Sequence, residues 1–127
     1  MKIGIGLIIN GKFINKYNMI DIDNYQKECK RTAIYPQHYN VIYPVIGVCG
    51  ETGEVAEKIK KIIRDKNSIF DENSKIEIMK ELGDVMWYIC NIATDLNVNM
   101  SDILIMNLNK IQSRQSRNKI HGSGDNR

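Results

Sequence analysis

The stretch SKIEIMKELGDVMWYICNIA (residues 74–93) carries apolar side chains at the three- and four-residue spacing of an α-helix. They form a single stripe that we expect to face a core: Ile78, Met79, Leu82, Val85, Met86, Ile89 and Ala93. Ser74 and Glu77 match a capping box, in which each residue satisfies a backbone N–H of the other, so the helix is expected to begin at Ser74. The stretch therefore predicts a long amphipathic helix that packs against other elements.

A second amphipathic helix is predicted to begin near Pro44, because proline suits the first turn of a helix. Its apolar stripe comprises Val45, Val48, Cys49, Val55, Ile59, Ile62 and Ile63. Gly47, Gly50 and Gly53 lie inside this helix, where each glycine costs on the order of 1 kcal/mol relative to alanine. That cost indicates either close contact with another helix or space kept for a ligand.

Two further helices flank this pair. The first is expected to start at Asp23, with Gln26 reaching back to the cap, and to run to about Ala33. The last is expected to begin near Asn99 or Ser101, and its apolar side consists of Ile103, Leu104, Leu108 and Ile111. The pattern predicts an all-α antiparallel bundle of about four main helices.

The first twenty residues differ from the rest and are predicted to be an N-terminal extension, residues 1–20, to a helical domain of residues 21–127. Short apolar runs lie on both sides of Asn10 and Gly11. This arrangement predicts a β-hairpin, because Asn-Gly accepts the positive φ of a tight turn. The alternative is a loosely ordered leader.

Size and composition favour a single soluble domain without a membrane or nucleic-acid partner. The chain has 127 residues, of which 43% are hydrophobic and 26% charged, and its net charge of +3 is too small to indicate nucleic-acid binding. The apolar run at residues 3–9 is too short to span a membrane. Cys29, Cys49 and Cys90 are odd in number and form no Cys-x-x-Cys, which indicates reduced core residues of a cytoplasmic protein.

Two acidic pairs, Glu51-x-x-Glu54 and Glu81-x-x-Asp84, provide the main functional signal. A spacing of three puts both side chains of a pair on one face of a helix. Two such helices facing each other would gather four carboxylates, which would repel strongly unless a cation lay between them. Oxygen-only ligands favour a hard ion, Mg²⁺ or Mn²⁺, over zinc.

The setting of the pairs matters, because a chain with 15 acidic residues contains such spacings by chance. Lys58 and Lys61 continue the acidic row of the second helix, and Tyr88 continues that of the third. The last helix adds three polar residues in one row: Asn107, Lys110 and Arg114. Lysine and arginine bind phosphate, while tyrosine and asparagine can contact a base or a sugar. The rows favour a metal–triphosphate site, and the alternative is a solvated charged face.

Two segments, GETGEVAEK (residues 50–58) and KELGDVMWY (residues 80–88), resemble the MazG-like family of all-α nucleoside triphosphate pyrophosphohydrolases. The similarity extends upstream to residues 25–26, 31–33 and 35–36. Downstream it includes Asn107-x-x-Lys110-x-x-x-Arg114 and the closing residues 121–127, so that it covers roughly residues 21–127. The N-terminal twenty residues depart from the family pattern.

The resemblance implies Mg²⁺-dependent hydrolysis of a nucleoside triphosphate to the monophosphate and pyrophosphate. It implies four metal ligands that are also the catalytic residues: Glu51, Glu54, Glu81 and Asp84. It implies phosphate-binding cations at Lys58 or Lys61, Lys110 and Arg114, and nucleoside contacts at Tyr88 and Asn107. Of the carboxylates, Glu54 or Glu51 is expected to assist as a general base.

Alternative functions make different demands on the chain. A ferritin-like di-iron protein needs Glu-x-x-His pairs, and neither acidic helix contains a histidine. A non-catalytic nucleotide-binding or assembly module on the same fold would bind nucleotide without releasing pyrophosphate.

The sequence also predicts an oligomer and a functional tail. Apolar side chains including Met86, Trp87, Ile105 and Met106 exceed what one small bundle buries, so we expect a homodimer or a dimer of dimers. The polar tail after Gln115 contains glycines and several cations. It is expected to fold over a bound triphosphate, and the alternative is a frayed end.

Overall fold

A computed structural model of the protein describes residues 6–9, 12–15 and 20–125. Four helices account for most of the described chain: α1 (Ile22–Arg31), α2 (Ile42–Asp65), α3 (Glu72–Asp95) and α4 (Met100–Ser116). A short 3₁₀ turn, Gln37–Tyr39, lies between α1 and α2. The predicted all-α class is confirmed.

Two short strands, β1 (Gly6–Ile9) and β2 (Lys12–Asn15), precede the helices and pair antiparallel. In their register Ile9 is opposite Lys12. The predicted Asn10–Gly11 turn itself lies outside the described residues.

The frame of the molecule is the pair of long helices α2 and α3, which pack against each other over much of their length. Helix α1 packs on α3, and α4 contacts α1. The buried core lies where α1, α3 and the start of α4 meet, and consists of Cys29, Cys90, Ala93 and Met100. All three cysteines are free, as predicted, but Cys49 is exposed and does not belong to this core.

Helix α1 begins before the predicted Asp23. Asp21 caps it by accepting the backbone N–H of Asp23 at 2.8 Å, whereas the Asp23 carboxylate accepts the N–H and hydroxyl of Ser101 at 2.9 and 2.7 Å. Gln26 does not close a capping box but bonds across to the α3–α4 turn, through Thr94 Oγ1, Val98 O and Met100 N. The predicted cap was wrong because both polar side chains hold α1 against the start of α4.

Helix α3 likewise begins before its predicted start. Asp71 is the N-cap and accepts the backbone N–H of Ser74 at 2.7 Å, while Lys66 Nζ bonds both Asp71 (3.0 Å) and the Ser74 hydroxyl (2.9 Å). These bonds lower the pKa of Asp71 to about 2, with the side-chain and backbone bonds to Ser74 as the main cause. Glu77 is therefore not part of a capping box.

A buried carboxylate at the end of α3 fixes the entry to α2. The Asp95 side chain is 1% exposed and accepts hydrogen bonds from Val41 N at 2.9 Å, Tyr35 Oη at 2.8 Å and Lys30 Nζ at 3.1 Å. Val41, the residue before α2, has a φ of 66°, which is unfavourable for a β-branched residue. The predicted helix start is confirmed, since Pro44 lies in the first turn of α2 and is fully buried.

The apolar stripes of the two long helices are only partly covered by the described chain. Ala93 and Ile62 are buried, but Met79 is 56% and Leu82 51% exposed, and Met86, Val45 and Ile63 are also exposed. The expectation that these stripes form the core of a single bundle was therefore wrong for much of their length. Among the described helices, none combines the length and apolar character needed to cross a membrane.

Candidate active site

Three of the four predicted ligands converge between α2 and α3. Glu51 on α2 and Glu81 and Asp84 on α3 each offer a carboxylate oxygen, and these oxygens lie within 4.8 Å of one another. We call this group the three-carboxylate cluster. Glu54, one turn further along α2, is exposed and does not belong to it.

The cluster carries the repulsion expected of acids held close together. Burial raises the pKa of Glu51, and the neighbouring charges of Asp84, Glu81 and Glu54 raise it further. Proximity to other carboxylates disfavours the ionised form, and a cation reverses that effect. A donor set of carboxylate oxygens without histidine or cysteine fits a hard ion such as Mg²⁺ or Mn²⁺.

The two predicted lysines of α2 have different surroundings. Lys58 Nζ lies 3.3 Å from Glu81 Oε1 and 3.2 Å from Glu77 Oε2, so it contacts the cluster directly. Lys61 is more exposed and pairs instead with Glu57 at 3.5 Å. Of the two, Lys58 is thus the one that the fold holds at the cluster.

Tyr88 packs against α2 at Gly47, which lies one helical turn before Glu51. Its ring occupies the space that a Cβ on Gly47 would need, which explains a glycine there. Burial raises the pKa of Tyr88, with smaller contributions from Tyr43, Glu51 and Asp84. By contrast, a Cβ on Gly50 or Gly53 would meet no described atom within 4 Å beyond its chain neighbours and the backbone of its own helix.

Trp87 packs at the edge of the Tyr88 ring, with the two ring centroids 4.8 Å apart. Its Nε1 donates to Thr32 Oγ1 at 2.8 Å, and its side chain covers the core beside α1. Trp87 therefore packs between the Tyr88 ring and the core beside α1 and is a packing residue of this chain.

Lys110 and Arg114, two of the three predicted residues of α4, contact the tail. Among residues 20–125, no hydrogen bond or ion pair joins them to the three-carboxylate cluster. Lys110 Nζ and Arg114 Nη2 instead meet Asp125 Oδ1 at 3.3 and 3.2 Å, and Arg114 also donates to the carbonyls of Gly124 and Asp125. Asn107 is exposed. The tail thus folds back onto two of the three residues.

Glu77 lies on the same face of α3 as Glu81 and contacts the site through Lys58. It was predicted to cap α3, yet its carboxylate binds Lys58 through Oε2 and Lys80 through Oε1, the latter at 2.7 Å. The available signal was its position four residues before Glu81, on the same face of the helix.

The fold and the three-carboxylate cluster define the protein as an all-α bundle whose facing carboxylates could hold a metal ion. Within it, residues 45–118 match the family model of the MazG nucleotide pyrophosphohydrolase domain. The chain is also 44% identical over 112 residues to "Gene 37 protein" of Mycobacterium phage L5, an alignment that covers 84% of this chain and 98% of the phage protein. No solved structure matches this chain.

The chain therefore belongs to the MazG family, and the resemblance noted from its two acidic segments is confirmed. The matched region includes both acidic pairs, so the three-carboxylate cluster lies within the family domain. Family membership indicates nucleotide pyrophosphohydrolase activity in general terms.

Proposed function

We propose that the protein hydrolyses a nucleoside triphosphate, an NTP or a dNTP, to the monophosphate and pyrophosphate, with Mg²⁺ as cofactor and Mn²⁺ as a possible substitute. The observation that carries this proposal is the convergence of Glu51, Glu81 and Asp84 within a MazG domain.

In this proposal the three-carboxylate cluster holds the divalent cation. A bound Mg²⁺ supplies the positive charge that neutralises phosphate oxygens and stabilises the charge that develops during phosphoryl transfer. Glu54 is close enough to raise the pKa of Glu51 but is exposed and outside the cluster. It is therefore proposed as a fourth ligand or as the general base.

The remaining steps fall to side chains of the chain itself. A water oxygen attacks phosphorus, its proton passes to Glu54 or Glu51, and the bond to the leaving phosphate oxygen breaks. Lys58 is proposed to bind a phosphate beside the cluster, with Lys61, Lys110 and Arg114 as further phosphate ligands. Tyr88 and Asn107 are proposed to contact the nucleoside.

We further propose that the working form is a cytoplasmic homodimer or dimer of dimers. α2 and α3 expose apolar residues, among them Met79 and Leu82. This supports an interface in which the same apolar surface of a second copy covers them. The net charge of +3 is too small to favour a nucleic-acid partner.

The test is the release of pyrophosphate from a panel of NTPs and dNTPs, with and without EDTA. Asp84→Asn should lower kcat by orders of magnitude while the protein stays folded. Asp102→Asn, a change at an exposed acid in the first turn of α4, is the matched control and should retain activity. Nucleotide binding without release of pyrophosphate would favour the non-catalytic module instead.

A further inference from the structure

A lysine contacts one of the three carboxylates that would hold the proposed cation. Lys58 Nζ lies 3.3 Å from Oε1 of Glu81, a member of the three-carboxylate cluster, and Glu81 is only 16% exposed. The positive charge of Lys58 offsets the mutual repulsion of carboxylates whose oxygens lie within 4.8 Å of one another. An ammonium group and a bound divalent ion would therefore compete for the Glu81 carboxylate.

Glu77 gives Lys58 a second partner outside the cluster. Its Oε2 accepts from Lys58 at 3.2 Å, while Lys80 binds its other oxygen at 2.7 Å. Lys80 binds Oε1 of Glu77 and leaves Oε2 for Lys58. Glu77 can therefore retain Lys58 when another cation binds Glu81. Glu77 itself is not a member of the three-carboxylate cluster.

We propose that Lys58 is an exchangeable internal counter-cation: a divalent ion displaces it from Glu81, and Glu77 keeps it at the edge of the site. Glu77 is then a positioning residue that acts through Lys58. This inference shares the divalent cation at the three-carboxylate cluster with the proposed function. It rests on nucleotide hydrolysis only in a last step, in which the ammonium retained by Glu77 meets a phosphate of the substrate.

The exchange has two consequences that require no nucleotide. Removing Lys58 should strengthen divalent-ion binding, because the ion no longer has to displace an ammonium from Glu81. It should also lower the stability of the protein in EDTA, because the clustered carboxylates lose their counter-cation, and this loss should vanish when the ion is saturating.

The experiment measures Mn²⁺ binding by calorimetry, and thermal unfolding in EDTA and in saturating Mn²⁺. Lys58→Gln should bind Mn²⁺ about three- to tenfold more tightly than wild type. Its Tm should be lower than wild type in EDTA and equal to it with Mn²⁺. Lys61→Gln is the matched control. It removes the same charge one turn further along α2, from a lysine that pairs with Glu57. Equal effects of the two variants, or weaker Mn²⁺ binding by Lys58→Gln, would overturn the exchange.

The role of Glu77 is tested by a double-mutant cycle in Mn²⁺ affinity. Glu77→Gln alone should weaken Mn²⁺ binding, because Lys58 then turns wholly to Glu81. In the Lys58→Gln background the same change should have an effect of less than about twofold. An undiminished effect there would mean that Glu77 does not act through Lys58.

These measurements separate the inference from the proposed function. Mn²⁺ shifts as expected, together with no release of pyrophosphate from any nucleotide, would refute the proposed function and leave the exchange intact. Release of pyrophosphate without the shifts would refute the exchange alone.

Discussion

Replacing Gly47 by alanine tests the contact between α2 and Tyr88. The ideal Cβ position at Gly47 overlaps the Cδ1, Cε1 and Cζ atoms of the Tyr88 ring. These are atoms of a rigid, partly buried ring, so the ring must move as a whole or the helices must separate. Gly50, one turn further along α2, offers a matched control because a Cβ there meets nothing within 4 Å.

The structure sets the expected size of the effect. Inserting a methyl group into a packed contact costs about 1–3 kcal/mol, whereas glycine to alanine within a helix gains about 1 kcal/mol. Gly47→Ala should therefore lower the free energy of unfolding by up to about 2 kcal/mol, while Gly50→Ala should raise it by up to about 1 kcal/mol. The two variants should differ by about 1–3 kcal/mol.

The assay is urea unfolding of both variants at one protein concentration, in EDTA. Adding Tyr88→Ala removes the ring, so the cost of Gly47→Ala should then disappear. Gly47→Ala should also lower kcat/KM, since Tyr88 is displaced from beside Glu51. Equal stabilities of the Gly47 and Gly50 variants would refute the proposed contact, as would a Gly47 cost that persists without the ring.

Three other predictions follow from the acidic site, the exposed stripes and the tail. The folded state raises the pKa of Glu51 above its ordinary pKa of 4.5. In EDTA, its protonated carboxyl therefore contributes stability below pH 4.5, and this contribution is lost as the pH rises through the folded pKa. Urea unfolding across that range should show this loss in wild type but not in Glu51→Gln. Light scattering should give a mass above 14.6 kDa. Leu82→Glu should lower that mass, whereas Ile34→Glu, at a 94% exposed residue outside α2 and α3, should not. Deleting residues 121–127, which removes the Asp125 contacts, should cost at least about tenfold in kcat/KM, roughly 1.4 kcal/mol, and leave the Tm without nucleotide unchanged. Full kcat/KM in the truncated enzyme would make the tail only an end of chain.

The presence and order of the four described helices, and the meeting of the acids, followed from local spacing. The three-residue spacing of Glu81 and Asp84 puts both side chains on one face of α3. Glu51 meets that face because α2 packs against α3 as its antiparallel neighbour. The starts of α1 and α3 were missed because Asp23 and Glu77 have two possible partners each, one local and one across the fold. Their long-range partners, Ser101 and Lys58, are distant in sequence and leave no periodic signal.

Burial was harder to predict than helicity, for a physical reason. A period near 3.6 shows that one face of a helix avoids water, but it does not say whether the covering surface belongs to the same chain. Met79 and Leu82 share the stripe of the buried Ala93, yet about half of each side chain is exposed. Covering them by a second copy would satisfy the same pattern that predicted a core. It would also place a new surface beside Glu81 and Asp84, which lie on the same helix, so oligomerisation and catalysis are expected to depend on one another.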